Sequence, residues 1–337
     1  MANLVAPEFI PGIRKIINTL PMNISIFTKY RFSRFWPFLI ILLWYSSCTS
    51  TKKTANTKLQ GLKYSYCTPV IPYPQKPGQD SIDIDLSKSG ISNHDQLLSK
   101  ILGISNNIND LLALGKDHEP DKTIQRLLLK QKIAGRLLIA QSELQAVAAE
   151  LDCEGERADM AADYLDNLNN KRNKNFTVSS VIIGALTTVA TATISKNSTQ
   201  VAVGISGGLV SAGLGAFTIN PKGRKLEFYH KRNLLRTIWT ETSSNADYPV
   251  FVWMMLHEKK FSNKGDITLA QSIKDRWVQF QFDGKSDSDQ EKLLFGDGGN
   301  YHADDLHTRS SMINQLQSTI RSINQDLISL VVFIENM

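Results

Sequence analysis

Phe176–Ile194 (FTVSSVIIGALTTVATATI) and Val201–Ile219 (VAVGISGGLVSAGLGAFTI) are two 19-residue stretches without a charged side chain, joined by SKNSTQ. Drawn as helices, each is about 28 Å long, close to the hydrocarbon thickness of a bilayer. In the second stretch Gly204, Gly208, Ala212 and Ala216 recur every four residues, and Gly207, Ser211 and Gly215 make a parallel row. Ser180, Gly184, Thr188 and Ala192 repeat at the same period in the first. Small residues at this spacing let helix backbones approach closely, so the pair is expected to be a membrane-capable helical hairpin of the glycine-zipper kind. Two readings compete with it. The many Ser, Thr and Gly residues make insertion marginal on transfer scales and fit a helical pair buried in protein, and the β-branched content of Thr177–Ile194 also fits a β-hairpin.

Outward from this hairpin the pattern is helical on both sides. Leu97, Ile101, Ile104, Ile108 and Leu111 fall at steps of three and four. After a break at His118–Asp121, with proline near a first helical turn, one stripe gathers Leu127, Ala134, Leu137, Leu144, Ala148, Leu151, Ala158, Ala161, Leu165 and Leu168. About 50 such residues make a rod near 75 Å, which needs partner helices along its length. The last segment offers one: Ile313, Leu316, Ile320, Ile323, Leu327, Leu330 and Ile334 have the spacing of a coiled-coil seam. The expected fold is therefore mainly α, an elongated antiparallel helical bundle interrupted by an uncharged, small-residue-rich helical hairpin. Arg224–Trp239 also reads helical, and Trp239 and Trp253 are expected to clamp two short helices around the loop between them.

The net charge of +6 is unevenly placed. Before Cys48 stand five basic residues and one acid; from Cys48 onward 33 basic residues face 31 acidic ones, so a strongly basic nucleic-acid-binding body is excluded and no nucleic-acid partner is expected. Lys29, Arg31 and Arg34 precede the apolar run Phe35–Tyr45, then Ser46, Ser47 and Cys48. A basic region, a short apolar stretch and small residues form an export signal too short to span a bilayer. These residues, Lys29 to about Lys53, resemble the leaders of bacterial lipoprotein precursors; the resemblance implies cleavage before Cys48 and lipid attachment to it. Tyr45 departs from the aliphatic residue usual there. Met22 is an alternative start that would shorten the leader to an ordinary length. Cys67 and Cys153 could then pair in an oxidising compartment, or remain two free thiols.

The chain divides in this reading into a leader (1–47), a lipidated Thr/Ser/Pro-rich tether (48–90) and a long helical, coiled-coil arm (91–175). The hairpin (176–219), a region of short helices and loops with the tryptophan pair (220–300) and a terminal coiled-coil helix (301–337) follow. The basic flanks of the hairpin, Lys171, Arg172 and Lys174 before it and Lys222, Arg224 and Lys225 after it, favour a cytoplasmic location for both ends. Export would place them outside. The two agree if the hairpin enters an outer membrane from the periplasmic side, inserts into another membrane, or stays packed in protein.

Catalytic chemistry is hard to find. His257-Glu258 lacks the second histidine of a zinc-protease motif, and His302, Asp304, Asp305 and His307 read as a helix start more simply than as a metal site. Asp287, Asp289 and Glu291 lack the glycine and closing glutamate of a calcium loop, and no glycine-rich phosphate loop or nucleophile triad emerges, so neither a cofactor nor an enzymatic activity is expected. The segment His230–Glu258, with its RNLL…IW and P-x-x-VW elements, resembles uncharacterised bacterial proteins that carry a glycine-rich hydrophobic hairpin; that resemblance implies no activity. Long helices flanking an uncharged hairpin also resemble the layout of α-helical pore-forming toxins. The expectation is an exported, lipid-anchored envelope protein with an interaction or scaffolding role. Its expected partners are membrane lipid and a second copy or another envelope protein, and a pore-forming or membrane-perturbing protein is the alternative.

Overall fold

The computed structural model describes residues 60–69, 73, 86, 90–115, 119–219, 223–242, 247–263 and 265–337. The expected leader, with Cys48 and Met22, lies outside the described residues, as does most of the expected tether. The protein is mainly α, with one two-stranded sheet among the described residues.

Two short helices, α1 (Asn93–Leu102) and α2 (Ser105–Ala113), precede the long one, and α1 carries end signals at both termini. Ser92 accepts from the Asp95 N–H at 3.0 Å, and Gly103, at φ 67°, closes α1 in the left-handed conformation that glycine adopts without steric cost. Leu98, Leu102, Ile104, Ile108 and Leu111 are buried from these two helices.

Helix α3 runs from Pro120 to Thr193, 74 residues, which at 1.5 Å per residue is about 110 Å. Pro120 occupies its first turn, where a missing N–H costs nothing, and no later proline interrupts it. The boundary expected at Asn175 is therefore absent from the backbone: arm and first hairpin segment are one helix. Its first part pairs antiparallel with α9 (Ala303–Glu335), as Lys130 Nζ to Glu335 O, Gln317 Nε2 to Ala148 O and His307 Nε2 to Asp166 show. All seven apolar residues of the expected terminal seam are buried. Opposite them Leu144, Ala148, Leu151, Ala158, Ala161 and Leu165 are buried, but Leu127 and Ala134 are exposed and Ile133 takes the inward place. At about 100° per residue Leu127 lies roughly 100° round the helix from Leu144, whereas Ile133 lies about 20° away.

Helix α4 (Asn197–Ile219) folds back along the end of α3 after an extended Ile194. Beyond it the chain forms β1 (Leu226–Tyr229), α5 (Leu234–Thr240), α6 (Val250–His257), a 3-10 turn (Lys259–Phe261), α7 (Leu269–Phe280), α8 (Ser288–Phe295) and β2 (Gly298–Tyr301). The helix expected over Arg224–Trp239 is thus corrected at its start. Leu226 and Phe228 point inward and Glu227 outward, the two-residue period of a strand, and β1 pairs antiparallel with β2 in the register Leu226 to Tyr301 and Tyr229 to Gly298. Gly298 has φ 107°, and a Cβ there would lie 2.2 Å from Phe228 O, so only glycine closes the pair. The two tryptophans do not make one clamp. Trp239 stacks on Phe295 of α8 at 4.5 Å, while Trp253 packs on His257 of its own helix at 3.7 Å; the central ring of this region is the fully buried Trp277.

Candidate functional site

The hairpin is built from a helix pair whose inner seam is polar and small and whose outer surface is aliphatic. On α3 the inward residues are Ser180, Ile183, Gly184, Thr187, Ala190 and Thr191; on α4 they are Val203, Gly204, Gly207, Ser211, Leu214 and Gly215. Ser180 Oγ donates to Ser211 O at 2.9 Å, and Ser211 Oγ donates to Ser180 O at 2.9 Å, a reciprocal clamp between the helices. A Cβ on Gly207 would come within 2.0 Å of Thr187 Oγ1, one on Gly184 within 3.3 Å of Ser211 Oγ, and one on Gly204 within 3.4 Å of Thr191 Cγ2. Phe176 and Phe217 stack at 5.9 Å across the base.

This geometry sorts the expected packing residues. Ser180, Gly184 and Gly204 are in the seam. Thr188, Ala192, Gly208, Ala212 and Ala216 are not: all five are exposed, and a Cβ on Gly208 would meet nothing within 4 Å. A strict four-residue step advances about 400°, so the row drifts roughly 40° per step and leaves the interface after two. The seam instead follows steps of three and four, through the parallel row Gly207, Ser211 and Gly215. Beside it Gly184, Thr188, Gly208 and Ala212 line a shallow groove of about 550 Å³.

Away from the seam the hairpin presents Val178, Val181, Ile182, Leu186 and Val189 from α3 and Val201, Ile205, Leu209, Val210 and Phe217 from α4, with Leu186 at 64% and Leu209 at 70% exposure. Both helices are long and apolar enough to cross a membrane by length and composition, and their apolar windows are unburied. Their hydroxyl groups are also turned inward on their own backbones: Thr187 donates to Ile183 O, Thr188 to Gly184 O, Thr193 to Val189 O and Thr218 to Gly215 O, at 2.7 to 3.1 Å. A donor satisfied within its own helix carries a smaller desolvation cost in an apolar medium than a free one. Lys196, at the tip, is the one charged residue between Phe176 and Ile219.

At the hairpin's base the chain returns close to α3. Asn169 Oδ1 accepts from Arg224 N at 3.0 Å, and a Cβ on Gly223 would come within 2.8 Å of Asn169 Nδ2. Lys171 and Lys174 of α3 and Arg224 and Lys225 of the returning strand are all exposed there.

Nearer the middle of α3 lies a group of buried polar side chains that the helical stripe did not reveal. Arg157, fully buried, donates to Glu154 at 2.8 Å, to Leu62 O at 2.7 Å and to His230 Nδ1 at 3.3 Å, with its guanidinium 3.7 Å over the Phe228 ring. Because arginine only donates, Nδ1 accepts and His230 Nε2–H donates to Tyr301 Oη at 2.9 Å, whose own proton goes to Leu293 O. Burial, and secondarily Arg309, Arg157 and Arg236, push the His230 pKa well below its ordinary 6.5, so the ring is neutral. Glu150 holds Arg232 in a two-point ion pair and accepts from Tyr73 at 3.2 Å; burial pushes its pKa up against the opposing pull of Arg232. These groups pair with one another and with nearby carbonyls, leaving the buried Arg157 Nε without a hydrogen bond, and act as the joint that fastens α3 to the strand pair.

The same joint captures the N-terminal side of the body. Cys67 and Cys153 form a disulfide, with Cα atoms 5.6 Å apart. Ser65 donates to Glu154, Lys63 pairs with Glu227, Tyr64 stacks on Tyr229 at 5.8 Å, and Tyr73 and Leu86 are buried. The free tether expected over 48–90 is thus corrected for these residues, which pack on the body; aromatic and apolar side chains spaced through the segment are the signal that marks them.

The His302–His307 string is a helix start. His302 caps α9 and its N–H donates to Asp305, while His307 turns to Asp166 of α3 at 3.0 Å, a contact that raises the His307 pKa. Among the described residues no group of histidine, cysteine and carboxylate side chains is arranged to hold a metal ion. No family model, curated protein or solved structure matches the chain.

Proposed function

We propose that the protein works at a lipid bilayer of a bacterial envelope, with the α3–α4 hairpin as its membrane element, Cys48 as a lipid attachment point, and the helical body as a non-catalytic interaction scaffold outside the bilayer. The observation that carries this reading is the hairpin's outer surface, aliphatic and uncharged from Phe176 to Thr193 on the helix that continues from the body and from Val201 to Phe217 on α4. Such a surface has no stabilising role in water, and in hydrocarbon it contributes about 25 cal/mol per Å². The disulfide supports an oxidising compartment. The test is alkaline extraction of the compact unit Lys58–Met337, which lacks leader and Cys48 and contains every described core residue. Retention in the membrane pellet is expected; release as a soluble protein would end the membrane role of the hairpin.

The groove beside the seam favours a second reading. Hairpins from several copies, packed through Gly184, Gly208 and Ala212, would enclose threonine hydroxyls and perturb the bilayer as a pore. Dye release from vesicles decides this: leakage that disappears in Gly208→Leu supports a pore, and no leakage from membrane-bound protein ends that reading.

A further inference from the structure

We infer that the base of the hairpin is a docking surface for anionic lipid headgroups, an inference that rests on the membrane reading above and names the lipid chemistry it requires. Four cations are exposed at the hairpin's base: Lys171 and Lys174, five and two residues before the uncharged segment opens at Phe176, and Arg224 and Lys225, five and six residues after it closes at Ile219. The fold brings the two pairs together deliberately. The Asn169–Arg224 bond and the close approach of Gly223 to Asn169 pin the returning chain against α3, so charges 50 to 54 residues apart in sequence share one collar.

Among the described residues none of the four is in an ion pair; Glu227, two residues after Lys225, pairs with Lys63, and Asp166, five residues before Lys171, pairs with His307. A collar of unpaired cations repels itself in water, and it is complementary to a surface that carries fixed negative charge at the level where the apolar hairpin ends. A nucleic acid or an acidic protein would meet the charges but leave the adjoining aliphatic surface in water. An anionic bilayer satisfies both at once, with headgroups at the collar and acyl chains along Val178, Ile182, Leu186 and Leu209. Each basic residue near an anionic surface strengthens partitioning about fivefold, so four together are worth several hundredfold at moderate salt.

The experiment is vesicle flotation of the full chain, and beside it of the unit Lys58–Met337, on pure phosphatidylcholine and on phosphatidylcholine with one third phosphatidylglycerol. Wild-type protein should partition at least a hundredfold more strongly onto the anionic vesicles, with the advantage shrinking as salt rises. The variant K171Q/K174Q/R224Q/K225Q should lose most of that advantage while K171R/K174R/R224K/K225K keeps it, with circular dichroism verifying the helical fold of both. Equal binding to the two vesicle types, or an unchanged preference in the glutamine variant, would overturn the collar while leaving the hairpin reading intact. Failure of the unit Lys58–Met337 to bind either vesicle would overturn the hairpin reading itself.

Discussion

From Leu144 to Leu165 helix α3 turns leucine and alanine inward against α9, buries Glu150, Glu154 and Arg157 in the polar joint and leaves Asp152, Glu156 and Asp163 outward; from Phe176 to Thr193 the same helix turns serine, glycine and threonine inward against α4 and valine, isoleucine and leucine outward. The backbone is uninterrupted between the two halves, so the reversal belongs to the side chains alone. In the lower half stability comes from taking apolar area out of water, which permits bulky side chains between the helices. In the upper half the helices approach at glycine and are fastened by the Ser180–Ser211 bonds, a seam that does not depend on water being expelled. The lower half is also held by a disulfide closing a separation of 86 residues and by buried ion pairs, whereas the upper half carries no charge below its tip.

Truncating one leucine in each half is the most forceful way to break this contrast. Leu151→Ala, at 1% exposure, should cost about 2–5 kcal/mol of unfolding free energy by urea denaturation, the range for cavities in a packed core. Leu186→Ala should change that free energy by less than about 0.5 kcal/mol. It should instead weaken partitioning into vesicles by about 2 kcal/mol, the value of three buried carbon groups. Equal destabilisation in water by the two substitutions would show that the outer face of the hairpin is covered by protein.

Adjacent glycines sharpen the comparison within the upper half. Gly207→Ala places a methyl group against the Thr187 side chain and should weaken the hairpin by about 1–3 kcal/mol. Gly208→Ala meets open space and should stabilise the helix by up to about 1 kcal/mol through helix propensity alone. Hydrogen exchange at the amides of α4 measures both. The reverse order would return the seam to the row Gly204, Gly208, Ala212 and Ala216.

How much of this can be read from residues alone follows from the range over which each pattern acts. The α9 seam was legible in full because a step alternating between three and four tracks a helix face for many turns, and all seven of its apolar residues are buried. The hairpin was legible as a helical pair from charge-free length, but only three of the eight packing residues expected within it lie in the seam, since four-residue spacing tracks one face for only two steps. Strand β1 was hidden because four residues give two repeats of its period, and its partner, Gly298–Tyr301, has glycine where a strand signal would stand. The joint of Arg157, Glu154 and His230 could not be seen: a charged pair three residues apart on a helix looks like a solvated face, and only the return of β1 and the Cys67 segment buries it. Glu150 and Glu154 flank the buried Leu151, and that neighbourhood was the one hint available.

Acid separates the two halves by chemistry rather than packing. His230 is held neutral because burial, with Arg309, Arg157 and Arg236 around it, depresses its pKa well below 6.5. The unfolded chain accepts a proton there near the ordinary value while the folded chain does not. Its contribution is therefore complete above about pH 6.5 and is lost as pH falls below it, at up to about 1.4 kcal/mol per unit, until the depressed folded value is reached. Glu150 works in the opposite sense, since its raised folded pKa favours the fold at lower pH, so the histidine is isolated by difference. His230→Gln keeps an acceptor for Arg157 and should reduce the loss of unfolding free energy between pH 7 and pH 5 by about 1–2 kcal/mol. The hairpin seam contains hydroxyls, glycine and aliphatic side chains, with nothing to titrate in that range. Opening free energies from hydrogen exchange should consequently fall with pH for amides of β1 and β2 and stay level for amides between Ser180 and Thr191. A parallel fall in both would mean that the hairpin opens only when the body unfolds, and that the two halves of α3 are one cooperative unit despite their opposite surfaces.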